Sequence, residues 1–371
     1  MQPRTDRQML DVAKEAIEAV AAHVRMSENL FPGLREVARH FLATNDQGIP
    51  DHLRRPYLTM GHPERGEALA CLRDAAIFQL WSESKVVYAM DDRLIDYLSD
   101  SSSSAIPTSV LLSIPHPNPF VLLPEPDFDD PEIGYYRTHI GIPFGAFVFG
   151  RHRNAEQLCS TGDERREDLG LMFVGLLVTH GEPILQMLRC TIPLGGATFT
   201  VEEAVSATVT KFVFNADLGE DDGTKLASWL RRYVALAFNS LLYVCTDQPD
   251  VAVQHPSAGH SSKKARKKAA RRARPDDIDT LVTLGFRLGP ALYEARTRSE
   301  TQPQAREAGA DEPGTRKRPH QRRGHYHTYW TGSGRRTPTL KWVPPFWVNR
   351  HLLDAPNDVT VRPVRRRPEF Q

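Results

Sequence analysis

Apolar residues recur at helical spacing through the first part of the chain. This spacing predicts one amphipathic helix over residues 10–24, a second over 34–42 and a third over 64–81, with Pro63 where a first-turn proline is tolerated. Much later, residues 226–245 form a long run that is apolar nearly all round. A helix of that kind is expected at the centre of a fold rather than on its surface.

Between these helices the hydrophobic period changes to that of β-strands. Residues 85–90 (KVVYAM) predict a strand, and either Asp91 or Asp92 can cap a short helix after it. The SSSSA run over 101–105 is typical of a flexible connector, and His180 with the glycine after it favours a hairpin turn. Further strand candidates are residues 109–114, 120–123, 146–149, 171–178 and 184–192.

The order of these elements predicts one mixed α/β (α+β) domain. We expect a mixed sheet, N-terminal helices, one long buried helix and a C-terminal β-hairpin, with disordered basic insertions. The predicted segments are a main core over 1–250, a basic disordered linker over 251–275, a strand and helix returning to the core over 276–298, a second disordered linker over 299–316, a hairpin block over 317–350 and a basic tail over 351–371.

The net charge of +1 hides an asymmetry between the two ends of the chain. Residues 1–260 carry 22 Lys+Arg and 35 Asp+Glu, whereas residues 261–371 carry 25 and 11. Such a basic end either meets an anionic partner or folds back on the acidic part. If it meets nucleic acid, the candidate phosphate contacts are Lys263, Lys264, Arg266, Lys267, Lys268, Arg271, Arg272 and Arg274.

The cysteines indicate a reducing compartment. The chain has four cysteines and no CxxC pair, and Cys71, Cys190 and Cys245 lie in apolar runs, as reduced core cysteines do. The sequence starts without an apolar signal core, and Arg231 and Arg232 interrupt its longest apolar segment. We therefore expect a soluble, cytoplasmic protein without a membrane span or a cofactor.

The hairpin block concentrates the chain's most unusual chemistry. A strand over 322–330 would place alternate side chains on opposite faces, with Gly332 and Gly334 in the turn and residues 340–343 as the return strand. Further basic groups follow at Arg335, Arg336 and Lys341. One face then carries Arg323, His325, His327 and Tyr329, and the other carries Arg322, Tyr326, Thr328 and Trp330.

Three chemical readings of the His–Arg–Tyr face compete. His325 and His327 can divide acid and base roles in RNA cleavage, with Arg323 stabilising charge, but no carboxylate lies close in sequence to orient them. With His320 they offer imidazoles to zinc, but no Cys, Asp or Glu in the block completes a site, so we expect no metal. Recognition of carboxylates, phosphates or planar groups needs no missing partner. The aromatic residues are instead expected in the core: Tyr326, Trp330, Trp342 and Trp347.

This block resembles the C-terminal signature of a type V-A anti-CRISPR family, although Tyr326 stands where the family pattern favours Trp. Weaker similarity extends upstream over residues 76–98, 107–115, 233–245 and 284–289. The matching residues are Arg318, Pro319, His320, Arg322, Arg323, Gly324, His325, His327, Tyr329, Trp330, Gly332, Trp342, Pro344, Val348 and Asn349.

The resemblance implies a protein of a phage or other mobile element that evades host defence by blocking biogenesis of the type V CRISPR nuclease. Members are thought to engage the nuclease's N-terminal segment as it emerges from the ribosome, and loss of the encoding mRNA follows. We therefore expect a peptide-binding protein whose partners are a nascent polypeptide and, in addition, the ribosome or mRNA. The alternative is an RNA-binding protein or ribonuclease. The expected binding residues are His320, Arg322, Arg323, His325, His327, Tyr329, Trp330, Trp342 and Asn349.

Overall fold

A computed structural model describes residues 3–44, 51–52, 59–99, 101–124, 141–150, 169–180, 182–194, 196–215, 220–256, 276–301 and 320–348. The helices are α1 (Asp6–Leu30), α2 (Leu34–Thr44), α3 (His62–Ser84), α4 (Asp92–Ser99), α5 (Val201–Asn215), α6 (Glu220–Val244) and α7 (Leu288–Thr301). The strands are β1 (Val86–Met90), β2 (Ser102–Ser103), β3 (Ile106–Pro107), β4 (Phe120–Leu122), β5 (Ile142–Phe149), β6 (Leu169–Thr179), β7 (Glu182–Ile192), β8 (Thr198–Phe199), β9 (Val251–Gln254), β10 (Thr280–Leu284), β11 (His320–Arg322), β12 (His325–Thr331), β13 (Thr337–Val343) and β14 (Phe346–Val348).

The predicted N-terminal helices are confirmed. α1 begins at a capping box, in which the Thr5 side chain accepts from the backbone N–H of Gln8 at 3.3 Å and the Gln8 side chain accepts from the backbone N–H of Thr5 at 2.8 Å. None of the helices that the structure describes is long and apolar enough to cross a membrane. The buried stripe of α1 follows its apolar spacing and includes Met9, Ala13, Ile17, Val20 and Val24.

Seven strands form one mixed sheet in the order β7–β6–β5–β4–β1–β10–β9. β1 is parallel to both β4 and β10, and the other neighbours in this sheet are antiparallel. β6 and β7 form the predicted hairpin, and His180 adopts a positive φ of 52° in its turn. All five residues of β1 are buried, because helices cover both faces of the sheet at its centre.

The two faces of the sheet pack into separate hydrophobic cores. Val87 and Ala89 of β1 pack with α1, α2 and α3 in what we call the N-terminal core. Tyr88 and Met90 point the other way and pack with α4, α5, α6 and the C-terminal hairpin in the C-terminal core. The predicted long buried helix is confirmed as α6, whose core residues include Trp229, Leu230, Tyr233, Val234, Phe238, Leu241 and Leu242.

The N-terminal segment is tied to the carboxyl end of β1. The Arg4 guanidinium contacts Asp92 at 2.6 Å and donates to the Leu123 carbonyl at 3.1 Å. Of the two predicted caps, it is Asp91 that begins α4, because its side chain accepts from the backbone N–H of Arg93 at 3.0 Å. Asp92 instead accepts from the backbone N–H and the guanidinium of Arg4, so both carboxylates at this strand end stabilise the fold.

Three predicted segments differ from the structure. Residues 109–114 are not a strand but a 3₁₀ helix (Thr108–Ser113), which points Val110 and Leu111 into the core. The 101–105 run is no flexible connector at its centre, since β2 pairs with β12. Residues 251–254, assigned to the basic linker, form β9, an edge strand antiparallel to β10. In each case a tertiary contact overrides the local composition.

Candidate binding surface at the C-terminal hairpin

The C-terminal signature folds as the predicted β-hairpin. β12 and β13 pair antiparallel over seven residues each, with His325 opposite Val343 and Thr331 opposite Thr337. Gly332 and Gly334 adopt φ values of 75° and 69° at the turn, a region in which a side chain would be strained. Because register is fixed along the whole ladder, each side chain of the hairpin has a defined face.

The inner face of the hairpin belongs to the C-terminal core. Tyr326 is fully buried and its hydroxyl donates to the Asn239 carbonyl of α6 at 3.0 Å. Burial raises the pKa of the Tyr326 phenol well above its usual value, so the hydroxyl stays protonated and can donate. Trp342 packs edge-on against Tyr243 at 5.6 Å between ring centroids and donates through Nε1 to the Ser101 hydroxyl at 2.9 Å.

The outer face presents cations beside aromatic rings. The His327 ring lies edge-on to Tyr329 at 4.5 Å, and the Lys341 ammonium lies 5.3 Å from the Tyr329 ring centroid. Lys341 also approaches Asp247 at 3.9 Å, but both groups are about half exposed, so this ion pair contributes little stability. Trp330, expected in the core, is 51% exposed because it lies near the turn, beyond the packed part of the ladder. Trp330 lies on the same side of β12 as Tyr326, so we call only His327, Tyr329 and Lys341 the hairpin face.

The base of the hairpin departs from the single strand predicted over 322–330. Arg322 ends a separate strand, β11, which pairs with β14 and places Arg322 opposite Phe346. The chain leaves strand geometry at Gly324, whose carbonyl accepts from the Ser102 backbone N–H at 3.2 Å. A Cβ at Gly324 would lie 3.1 Å from both the Ser101 hydroxyl and the Trp342 ring, so the close approach favours glycine. The prediction of one continuous strand over 322–330 is therefore wrong.

A groove at this base brings both arginines together with the histidines. It encloses about 320 Å³ and is lined by Ser102, Ser103, Ser104, Arg322, Arg323, His325, Tyr326 and His327. We call it the serine groove. Sequence reasoning missed the three serines, since β2 lies more than 200 residues upstream of β12 and no local pattern reports that pairing. No lining residue is acidic, so the groove offers hydrogen-bond donors and positive charge.

The geometry of the serine groove can be compared with what RNA cleavage and metal binding require. His325 Nδ1 lies 3.5 Å from the Arg323 carbonyl oxygen, which is a marginal distance for orienting the ring. His325 and His327 share the groove with Arg323, as RNA cleavage would require, but none of the lining residues is a carboxylate. Within the described ranges no group of three His, Cys, Asp or Glu side chains is arranged to hold a metal ion.

Several predicted site residues lie wholly or partly outside the part of the chain that the structure describes. Asn349 lies outside the described residues, as do the eight basic residues of the 263–274 run. His320 is described only through its backbone pairing with Val348. The described cysteines, Cys71, Cys190 and Cys245, are buried thiols outside any disulfide, as predicted.

Fold and site together define a mixed α/β protein with a basic, aromatic surface on its C-terminal hairpin. The chain belongs to the anti-CRISPR type V subtype A2 family, whose model matches residues 88–350. The family expected from the C-terminal signature is thus confirmed, and the matched range includes the hairpin and the serine groove but not α1, α2 or α3.

A solved structure described as the crystal structure of AcrVA2 is similar to this chain. It is 14% identical, the superposition covers 89% of this chain and 98% of that one, and the TM-score is 0.40. A comparison with curated proteins finds no match.

Proposed function

We propose that this chain is an anti-CRISPR interaction protein of a mobile element that binds a nascent or short peptide segment of a target protein and lowers the target's expression. A type V CRISPR nuclease is the target that membership of the family favours. The observation that carries the proposal is the hairpin face. It joins two cations or potential cations to the exposed ring of Tyr329 on a hairpin whose other face is fixed in the core up to the exposed Trp330 near the turn.

The chemistry of the hairpin face suits a peptide. Tyr329 is 44% exposed, and the adjacent Trp330, on the other side of the strand, is 51% exposed. Exposed aromatic side chains of this kind give a large contact area at low entropic cost. Lys341 and His327 flank Tyr329 and supply polar contacts around it. Because Tyr326 and Leu340 anchor the opposite face, the surface is held in place before a partner arrives.

Co-expression with a type V nuclease tests this proposal. Wild-type protein should lower both the nuclease protein and its mRNA, while an unrelated mRNA in the same cells stays constant. Tyr329→Ala should weaken capture of the target segment roughly tenfold if it is an interface hot spot. Tyr293→Ala is the matched control, because Tyr293 is similarly exposed, at 53%, but lies on α7. Unchanged nuclease protein and mRNA in the presence of wild type would refute the proposal for that nuclease.

A ribonuclease remains the second candidate, favoured by the meeting of His325, His327 and Arg323 in one groove. Purified protein should then cleave RNA, and His325→Ala should abolish cleavage while leaving the fold intact. Cleavage that is absent, or that survives this substitution, removes the candidate and leaves peptide recognition untouched.

A further inference from the structure

We propose that the serine groove binds the phosphate backbone of a single-stranded nucleic acid. The serine groove adjoins the hairpin face and shares His327 with it, but the inference does not depend on peptide recognition or on catalysis. It follows from the donors that line the groove, from their rigid support, from an aromatic ring beside them and from the charge of the surrounding chain.

The donors of the groove are available to a ligand. Arg322 and Arg323 are both exposed, and among the described residues no carboxylate pairs with either guanidinium. The Ser103 hydroxyl oxygen accepts from the backbone N–H of Val201 at 2.8 Å, which leaves its proton free to donate. Ser102 is exposed at the same rim. Arginine forks and hydroxyl groups are the donors that bind phosphate oxygens in nucleic-acid complexes.

The groove is also held in shape by the fold. Its floor, Tyr326, is buried and bonded to α6, and its serine wall pairs in parallel with β12 through His325–Ser102 and Tyr326–Ser103. The Ser104 backbone N–H approaches the Tyr326 carbonyl at 3.4 Å. Donors on paired strands keep their positions without a ligand, so little ordering is required when one binds.

An aromatic platform lies beside the groove. The Arg322 guanidinium lies 5.9 Å from the ring centroid of Phe346, which is 41% exposed. A base can stack on the open face of such a ring while its phosphate meets the arginines. This pairing of positive groove and exposed aromatic ring is the recurrent arrangement of single-strand binding sites.

The charge of the chain favours a polyanion over an acidic peptide. Residues 313–353 contain nine Lys+Arg and no Asp or Glu, and the groove lies at the middle of that stretch. A peptide with one or two carboxylates would neutralise only a few of these basic residues, whereas a nucleic-acid strand carries a negative charge at every nucleotide. In this proposal the donors of the groove contact phosphate oxygens rather than the hydrogen-bonding edges of the bases, so we expect little sequence preference.

Fluorescence anisotropy with a labelled twelve-nucleotide oligouridine tests the proposal on the full-length chain. The double variant Arg322→Gln/Arg323→Gln should bind at least about tenfold more weakly at low salt, and its salt slope should fall by roughly 1.4 if two phosphate contacts are lost. Arg35→Gln/Arg39→Gln is the matched control, because it removes the same charge from exposed positions on α2. This control should retain both affinity and slope.

A second pair of variants places the ligand in the groove itself. Ser102→Glu puts a carboxylate among the donors and should weaken binding as much as the arginine variant, whereas Ser102→Gln should bind nearly as wild type. Circular dichroism of each variant should match wild type, since all these positions are exposed.

The choice of probe identifies the source of the phosphate. Equal binding of the deoxyuridine strand assigns the site to single-stranded nucleic acid in general, and weaker binding of it assigns the site to RNA. Wild-type affinity and slope in both groove variants would overturn the proposal, because other basic segments would then carry the binding. A decaglutamate peptide that binds as tightly as oligouridine would overturn it in favour of an acidic-peptide site.

Discussion

Tyr326 joins the signature segment to α6 in the C-terminal core. The resemblance of the sequence predicts Trp at this position, whereas this chain has Tyr, whose hydroxyl reaches a second element. The Tyr326 side chain reaches from β12 to α6, where its hydroxyl oxygen lies 3.0 Å from the Asn239 carbonyl oxygen. An indole N–H is also a donor, so either side chain can satisfy a carbonyl while filling apolar space.

Tyr326→Phe should therefore lower the free energy of unfolding by about 1 kcal/mol, since one buried hydrogen bond is lost while the packing of the ring stays. Urea unfolding monitored by circular dichroism measures the change. Tyr329→Phe is the control, and because Tyr329 is 44% exposed it should change stability by less than about 0.5 kcal/mol. Equal effects of the two substitutions would show that the contact to Asn239 does not stabilise the fold.

For single residues, the sequence predicted which face of a strand a side chain occupies better than how deeply that side chain is buried. Alternation along a strand assigned Tyr326 and Trp330 to one face, and both do share it. Only Tyr326 is buried, because the core ends before the turn and alternation carries no information on where that happens. The groove serines were invisible for a related reason, since their partner strand is remote in sequence.

Among the elements, α1, α3 and β7 meet at a charged cluster on the N-terminal core. His23 of α1 approaches the Asp74 carboxylate of α3 at 3.5 Å, and Arg189 of β7 donates to the other carboxylate oxygen. Hydrogen bonding to Asp74, and then to Cys71, raises the pKa of His23 to about 9. Three elements that are distant in sequence are thus joined through one carboxylate that is 5% exposed.

The stability of the fold should depend on pH through His23. Its folded pKa lies above the unfolded value of 6.5, so its contribution is complete below pH 6.5 and is lost as the pH rises through about 9. The full shift corresponds to about 3 kcal/mol, which we reduce to about 1–2 kcal/mol because 32% of the side chain is exposed.

His23→Gln should accordingly be less stable than wild type at pH 6 and nearly equal to it at pH 10. Urea unfolding at intervals between these pH values measures the difference. His327→Gln serves as the control, because His327 is exposed and its described ring contact is with Tyr329 rather than a carboxylate. A deficit of His23→Gln that stays constant from pH 6 to pH 10 would contradict the ion pair.

Elements were predictable where the apolar pattern is continuous. The N-terminal helices follow from their helical apolar spacing, and β1 and α6 follow from their nearly unbroken apolar runs. Residues 109–114 did not, because Val110 and Leu111 are apolar whether they lie in a strand or in a 3₁₀ helix. The break between β11 and β12 also escaped prediction, since Gly324 is required by the close approach of Ser101 and Trp342, and both contacts are tertiary.

For the whole molecule, the hairpin completes the C-terminal core. Leu340 is 2% exposed, and its carbonyl accepts from the Asp247 backbone N–H at 2.8 Å just beyond the end of α6. With Tyr326 it packs in the same cluster as Tyr88 of β1, an interior strand of the sheet. Because Leu340 and Tyr326 anchor the hairpin in this core, the hairpin should unfold only when the sheet does.

Leu340→Ala should thus lower the free energy of unfolding by about 2–4 kcal/mol, the cost of a cavity in a packed core. The loss should appear in one cooperative transition, seen alike by far-ultraviolet circular dichroism and by tryptophan fluorescence. Ile184→Ala is the control, since Ile184 is 49% exposed at the far end of the sheet and should change stability by less than about 0.5 kcal/mol. If the fluorescence transition moved while the circular dichroism transition did not, the hairpin would unfold on its own. The hairpin face and the serine groove would then belong to a hairpin that unfolds independently of the core. The inference that the core preorganises these two surfaces would be wrong.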